Sequence, residues 1–357
     1  MTEASVPRIA RVRRLLDAAR VLADPRTALG ARARAELPAV SGLSAENVAR
    51  ALSEVLEVDA TDGDLQRLLA TVEDSPRTHV LLAANVFTAP LRAIALALAQ
   101  SPRVDVRPSR REPLFTELLH EASHGAFRIV SELAPAPGDH VWAYGSDETL
   151  ESVRGELPAG VVFHGHGSGF GVAVLELDDA DAAQVTQLSA ALARDVVVFD
   201  QRGCLSPRLV LVVGAEARAR QFATELAAAL ARHHHDIPPG PLSSEEAALV
   251  SWYRDTFTYA AEAFPAGKGV VGFSPGGELT LPPVGRNVHV ARLPDPVAPL
   301  EPWARAVTSV GLFGSEQLRV RLAGVVAGAR LCAVGQQQRP PLDGPVDLRE
   351  RTRREVL

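Results

Sequence analysis

From residue 78 onward, short apolar runs alternate with segments of helical periodicity, and this alternation leaves few folds open to the chain. Thr78-His79-Val80-Leu81-Leu82-Ala83-Ala84 is an apolar run of strand length, followed by Asn85 and by helical spacing over Pro90–Gln100. Val104–Ser109 reads as a second strand ending around Pro108, 112–124 as a helix, His140–Gly145 as a third strand, Ser146–Leu157 as a helix and Val161-Val162-Phe163 as a fourth strand. Strands separated by helices need crossover connections, which give a parallel sheet covered on both faces; the fold class is α/β. Ligands of such sheets bind beyond the carboxyl ends of the strands. Asn85, Arg107, Gly145 and the run Gly165-His166-Gly167-Ser168-Gly169-Phe170-Gly171 all fall at those ends.

Either side of this block the pattern continues. Residues 8–36, 44–58 and 62–74 read as helices. Val172–Leu175 reads as a strand, Asp179–Arg194 as a helix, Leu209–Val213 as a strand, Glu216–His235 and 245–264 as helices. The Gly-, Pro- and Val-rich stretch 267–300 reads as short strands and turns, and 302–328 as helix.

The net charge of −6 argues against nucleic acid as a partner, and 46% hydrophobic with 22% charged residues is ordinary for a soluble globular protein. There is no signal-peptide core and no membrane-length apolar window, so the expected compartment is the cytoplasm. Only two cysteines occur, which rules out a disulfide framework and points to reducing surroundings. Cys204 lies in Asp200-Gln201-Arg202-Gly203-Cys204-Leu205-Ser206-Pro207-Arg208, at the end of a polar turn and just before an apolar strand. Such a thiol is either a covalent nucleophile, held by a rigid element yet reached from a loop, or a small buried apolar residue. Arg202 and Arg208 are the candidates for stabilising its thiolate. Cys332 reads as core packing.

Other residues also carry two readings. Arg107, Arg110 and Arg111 around Pro108-Ser109 are a phosphate grip or a basic loop surface. Arg8, Arg11, Arg13 and Arg14 are a solvated helix face or a phosphate contact. The glycines at 165, 167, 169 and 171 depart from the G-x-G-x-x-G spacing at Phe170, leaving a dinucleotide loop or a flexible turn. His164 and His166 each read either as an acid or base or as a hydrogen-bonded structural residue. His233-His234-His235 is contiguous rather than spaced i, i+4, so no metal site is assigned.

Three runs together resemble the acyl-CoA reductase family of the aldehyde dehydrogenase superfamily, the family of the luciferase-system fatty acid reductase. They are the Asp200–Arg208 run, Asn85-Val86-Phe87 followed by Val106-Arg107-Pro108-Ser109, and Arg339-Pro340-Pro341-Leu342-Asp343. The resemblance spans about residues 78–345 and implies an aldehyde dehydrogenase-like fold, with a parallel Rossmann-type cofactor domain and an α/β catalytic domain. The implied division is a helical segment 1–75 packing on the cofactor domain, the cofactor domain 76–170, a catalytic domain 171–300 and a segment 301–357 returning to the cofactor domain. It implies reduction of an acyl-CoA, or of a carrier-bound acyl thioester, to an aldehyde through a thioacyl-Cys204 intermediate. Cys204 would be the nucleophile. The Asn85 amide and the Cys204 backbone N–H would hold the oxyanion, and Arg107, Pro108, Ser109, Gly145, Gly165, His166 and Gly167 would bind the cofactor. Arg107 stands where the superfamily has Lys; with Arg110 and Arg111 it favours NADPH and leaves NADH open. The Glu-Leu-Gly-Gly run of oxidising members is missing before Cys204, as suits a reductase that needs no deacylating water. A homo-oligomer or a partner acyl-transfer enzyme is compatible with this assignment. The rivals are a Cys204 acyltransferase or thioesterase, and a family member that binds acyl-CoA or a partner without turnover.

Overall fold

The computed structural model describes residues 6–260, 262–349 and 355–356. The chain forms two compact units, one running to Ser168 and resuming at Arg339, the other Gly169–Gln338.

The first unit begins with four helices, α1 (Arg8–Ala23), α2 (Ala28–Ser41), α3 (Ala45–Arg50) and α4 (Asp62–Ala70). The single helix expected over 8–36 is broken because Pro25 bars α geometry at Asp24, which is extended (φ −80°, ψ 112°). The Thr27 hydroxyl then accepts the Gly30 N–H and starts α2. Next come β1 (Thr78–Leu81), α5 (Ala89–Gln100), β2 (Val104–Arg107), α6 (Leu114–Ala122), β3 (Arg128–Ile129), β4 (His140–Tyr144), α7 (Asp147–Gly155) and β5 (Val162–His166). The strands pair in parallel in the order β5-β4-β1-β2-β3. The connections leave β1 and β4 in opposite directions, and a crevice opens at their carboxyl ends.

α5 is buried on all sides from Pro90 to Gln100. Its last carbonyls need donors, and the amino-terminal arginines supply them. Arg8 Nε donates to Ala99 O (2.6 Å) and Arg11 Nε to Leu98 O (2.7 Å). Arg8 and Arg11 are thus spent capping a buried helix, whereas Arg13 and Arg14 lie on the exposed face, Arg13 pairing with Asp62 (2.6 Å).

The glycine run also differs from the expected loop. Gly165 and His166 belong to β5, paired with Ala143 and Tyr144 of β4. His166 is carried into the strand by its ring, which stacks on Tyr144 (centroids 4.6 Å apart) and Trp142 (5.4 Å).

The second unit contains β6 (Phe170–Glu176), α8 (Ala182–Val197), β7 (Pro207–Val213), α9 (Glu216–Asp236), α10 (Ser244–Ala260), β8 (Glu262–Ala266), β9 (Gly269–Ser274), β10 (Val288–Arg292), β11 (Val307–Phe313), α11 (Glu316–Val325) and β12 (Arg330–Ala333). Its sheet runs β12-β11-β6-β7-β10-β9-β8 and is parallel except for β8, which is antiparallel to β9. On one face Val210, Val212 and Phe273 pack with Phe222 and Leu226 of α9. On the other, Val172, Val174, Leu209 and Leu211 pack with Val310, Leu318 and Leu322.

The continuous helix expected over 302–328 is instead β11 followed by α11. Val310 and Leu312 are buried against β6, so strand pairing wins over helical spacing. The return to the first unit, expected from residue 301, begins only at Arg339. Beyond it, β13 (Glu355–Val356) lies antiparallel to β5.

Arg92 of α5 pins the returning segment. Its guanidinium donates to Pro340 O (2.9 Å), Pro341 O (2.8 Å) and Gly344 O (2.5 Å), and pairs with Glu57 (2.8 Å). Arg92 is 5% exposed, so its loss strands a carboxylate and three carbonyls. Arg92→Met is expected to lower the unfolding free energy by about 3–5 kcal/mol in urea titrations and to open residues 339–349 to limited proteolysis.

Candidate functional site

Cys204 stands three residues ahead of β7, at the amino edge of the second unit's sheet, on a loop of unusual backbone. α8 ends at Val197 and a single 3₁₀ turn, Val198–Gln201, follows. Within it Phe199, Asp200 and Gln201 are successively left-handed, with φ of 54°, 49° and 65°. Each such non-glycine residue costs on the order of 1 kcal/mol and persists only where the surroundings dictate it.

The surroundings here are polar and buried. Asp200 pairs with Arg286, and both side chains are almost wholly enclosed. Arg286 Nη2 (2.7 Å) and Nε (3.0 Å) donate to Asp200 Oδ1, and the Gly240 N–H (2.8 Å) donates to Oδ2. Gln201 Nε2 donates to Asn287 O (2.6 Å) and Pro207 O (2.8 Å), while Gln201 Oε1 accepts the Asn287 N–H (3.0 Å). The residues after the turn are held from β11. Thr308 Oγ1 donates to Cys204 O, and Ser309 Oγ to Leu205 O (3.0 Å). Gln338 Nε2 donates to Ser206 Oγ (3.0 Å). Gly171 makes room, since a Cβ there would meet Ser309 Oγ and Gln337 Nε2 at 2.8 Å.

Cys204 is half-buried, and so remains reachable on an immobilised loop. Of its two cationic neighbours in sequence, Arg202 pairs with Glu246 (3.5 Å). Arg208 donates to Pro282 O and lies over the Phe170 ring, 6.0 Å from its centroid. Burial pulls the Arg208 guanidinium down to about 10, which still leaves it charged at neutral pH. Cys332, on edge strand β12, is the contrasting thiol: burial pushes it up to about 12, too high for a nucleophile.

In the first unit, the other sequence candidates gather at the carboxyl edge of the sheet. Asn85 is exposed in the bend after β1. Arg107 closes β2, and Ser109 Oγ accepts the Arg111 N–H (3.2 Å). No carboxylate pairs with Arg107, Arg110 or Arg111 among the described residues. Gly145 follows β4, its N–H donating to His166 O (3.2 Å). Gly165 lies inside β5, where a Cβ would meet the Phe163 ring at 2.9 Å, and a Cβ on Gly167 would collide with the Asp147 carboxylate. His166 is buried with Nε2 unbonded, and burial lowers it to about 4, so it is neutral at pH 7. Its ring continues a stack in which His164 lies between His140 (5.2 Å) and Trp142 (4.1 Å). Among the described residues no three His, Cys, Asp or Glu side chains are grouped to hold a metal ion.

Sequence reasoning missed Arg286, Asn287, Thr308, Ser309, Gln337 and Gln338. Asp195 is a second missed group: it accepts the N–H groups of Gln337 (3.2 Å) and Gln338 (3.4 Å), yet burial dominates and pushes it up to about 6. It therefore binds its proton more tightly folded than unfolded. The stability this contributes is full below about pH 4 and is lost as the pH rises through 6. Relative to Asp195→Asn, the wild type should lose about 3 kcal/mol of unfolding free energy between pH 4 and 7 in parallel urea titrations.

Comparison with known proteins agrees with this architecture. The chain superposes on an oxidoreductase from Marinobacter aquaeolei with a TM-score of 0.67 at 15% identity, covering 94% of this chain and 79% of that one. It superposes on lactaldehyde dehydrogenase from Escherichia coli with a TM-score of 0.66 at 15% identity, covering 99% and 87%. An NADP-dependent glyceraldehyde-3-phosphate dehydrogenase from Bacillus halodurans, in complex with NADP, gives 0.66 at 15% identity, covering 93% and 80%. At these identities the likeness is one of fold. No curated protein matches the sequence. The acyl-CoA reductase (LuxC) family profile, however, matches residues 73–354, most of the chain, and the protein is a member of that family.

Proposed function

We propose that this protein reduces an acyl-CoA, or a carrier-bound acyl thioester, to an aldehyde through a thioacyl enzyme at Cys204, with NADPH as reductant. The observation that carries this reading is a half-buried Cys204 just after a left-handed turn locked by buried hydrogen bonds, in a member of an acyl-CoA reductase family.

The Cys204 thiolate attacks the thioester carbonyl carbon, forming a carbon–sulfur bond and an oxyanion. The oxyanion collapses, the bond to the coenzyme sulfur breaks, and the coenzyme leaves as its thiol after taking a proton. The acyl carbon next accepts a hydride, which the reduced nicotinamide supplies when bound. The resulting thiohemiacetal expels the Cys204 thiolate and releases the aldehyde. The Cys204 N–H and the Asn85 amide take the part of oxyanion donors, and removing one such donor costs about 100-fold or more in rate.

The residues of the first unit suit a nicotinamide dinucleotide. Its sheet has the order in which a crevice opens at the carboxyl ends of β1 and β4. Arg107, Arg110 and Arg111, unpaired with any carboxylate among the described residues, would hold an adenosine 2′-phosphate. The two carboxylates in the first turn of α7, Asp147 and Glu148, argue against a pyrophosphate seated on that helix terminus.

Oxidation of NADPH by the purified protein, followed by absorbance with acyl-CoAs of increasing length, tests this. Consumption should depend on acyl-CoA and vanish in Cys204→Ala. Arg110→Glu should raise the KM for NADPH by about tenfold or more and leave that for NADH nearly unchanged. Acyl-CoA hydrolysis without NADPH consumption would point to a thioesterase, and neither reaction to a binding protein.

A further inference from the structure

The register of β11 against β6 carries a bulge at its amino end: Val307 pairs with Phe170 and Ser309 with Gly171, leaving Thr308 as an extra residue. Successive residues of a regular strand point to opposite faces. The bulge instead turns the hydroxyls of both Thr308 and Ser309 to the same loop, where they meet successive carbonyls, Cys204 O and Leu205 O. Both side chains are at most 1% exposed. A second bulge, at Arg208, lies between β6 and β7 at the same level. Gly171 thus sits between two bulges, and its missing Cβ lets Leu205 O approach the strand.

We infer that Thr308 and Ser309 are positioning residues for Cys204, acting through its peptide rather than on substrate. A carbonyl fixed in direction fixes the plane of its peptide. Gly203 O accepts the Ser206 N–H (3.0 Å) and Cys204 O is bonded to Thr308, so the peptide planes on both sides of the Cys204 α-carbon are held and the direction of its Cα–Cβ bond is set with them; Ser309 on Leu205 O holds the next plane. Thr308 Oγ1 has one proton to give and two carbonyls in reach, Cys204 O and Phe170 O, the latter at 3.2 Å. Ser309 Oγ is in turn oriented by Gln337 Nε2 (2.8 Å), whose backbone N–H is held by Asp195. The arrangement is a relay of buried groups ending on the nucleophile's own peptide. Its catalytic consequence rests on Cys204 being the nucleophile proposed above, whereas its effect on the thiol does not.

The test uses full-length protein in a Cys332→Ser background, so that one thiol remains. The rate of alkylation of Cys204 by iodoacetamide is measured against pH, with acyl-CoA-dependent NADPH oxidation in parallel. Thr308→Val keeps the shape and removes the proton; it should change the alkylation rate or its pH midpoint and lower kcat roughly 10- to 100-fold, with the KM for NADPH unmoved. Thr308→Ser restores the hydroxyl and should recover most of the loss. Ser309→Ala should give a smaller change of the same kind and supplies the comparison if Thr308→Val does not fold. Alkylation and turnover within twofold of wild type in Thr308→Val and Ser309→Ala would overturn the inference, as would failure of Thr308→Ser to improve on Thr308→Val. If alkylation shifts as expected but wild type reduces no acyl-CoA, the positioning role stands and the proposed reaction falls.

Discussion

The Asp200–Arg286 pair is the interaction on which the rest of the candidate site depends. Three consecutive left-handed residues do not persist in a free chain, and this turn is what delivers Gly203 and Cys204 to the amino edge of the sheet. Burying both charges is costly, and replacing such a pair by apolar residues is often neutral or better for stability. What apolar residues lack is direction. A guanidinium donating twice to one carboxylate oxygen, while the other accepts the Gly240 N–H, specifies the orientation of Asp200 and through it the turn. Gln201 repeats the device with neutral groups, giving and taking hydrogen bonds with the Asn287 backbone. Arg286 and Asn287 are adjacent ahead of β10, so one short segment holds both residues of the turn.

The two units use their sheets in opposite ways. In the first, the sequence candidates lie at the carboxyl edge, where loops after parallel strands gather. In the second, Cys204 lies at the amino edge, where β6, β7 and β11 would ordinarily present regular pairing. The bulges at Thr308 and Arg208 break that regularity, and the glycine between them removes the side chain that would block the loop. The reaction proposed for this family member would use Cys204 as nucleophile; the bulges and buried hydroxyls are what hold its loop.

Much of this was legible in the sequence, for identifiable reasons. β1 and β4 are largely apolar runs, β2 (Val104-Asp105-Val106-Arg107) alternates and is closed by Pro108, and α9 has the periodicity of a helix buried on one face. The Asp200–Arg208 run marked the loop because a rare residue sat between a polar turn and a strand. β5 extends beyond its apolar run because His164, Gly165 and His166 continue the strand, and only the rings stacked across β4 show why histidine belongs there. β11 read as helix because Thr308, Ser309 and Gly311 dilute its apolar positions, yet these polar and small residues are the ones that serve the Cys204 loop or make room for Gln337. Arg286, Thr308 and Gln338 lie roughly 80 to 130 residues from that loop, and no local pattern ties them to it.

The most direct test of the account is the mass of the peptide containing Cys204 after the protein is mixed with acyl-CoA in the absence of any nicotinamide. The account predicts that this peptide gains the mass of one acyl group, that hydroxylamine removes it, and that Cys204→Ala shows none. An unmodified Cys204 peptide, or acylation confined to Cys332, would contradict it.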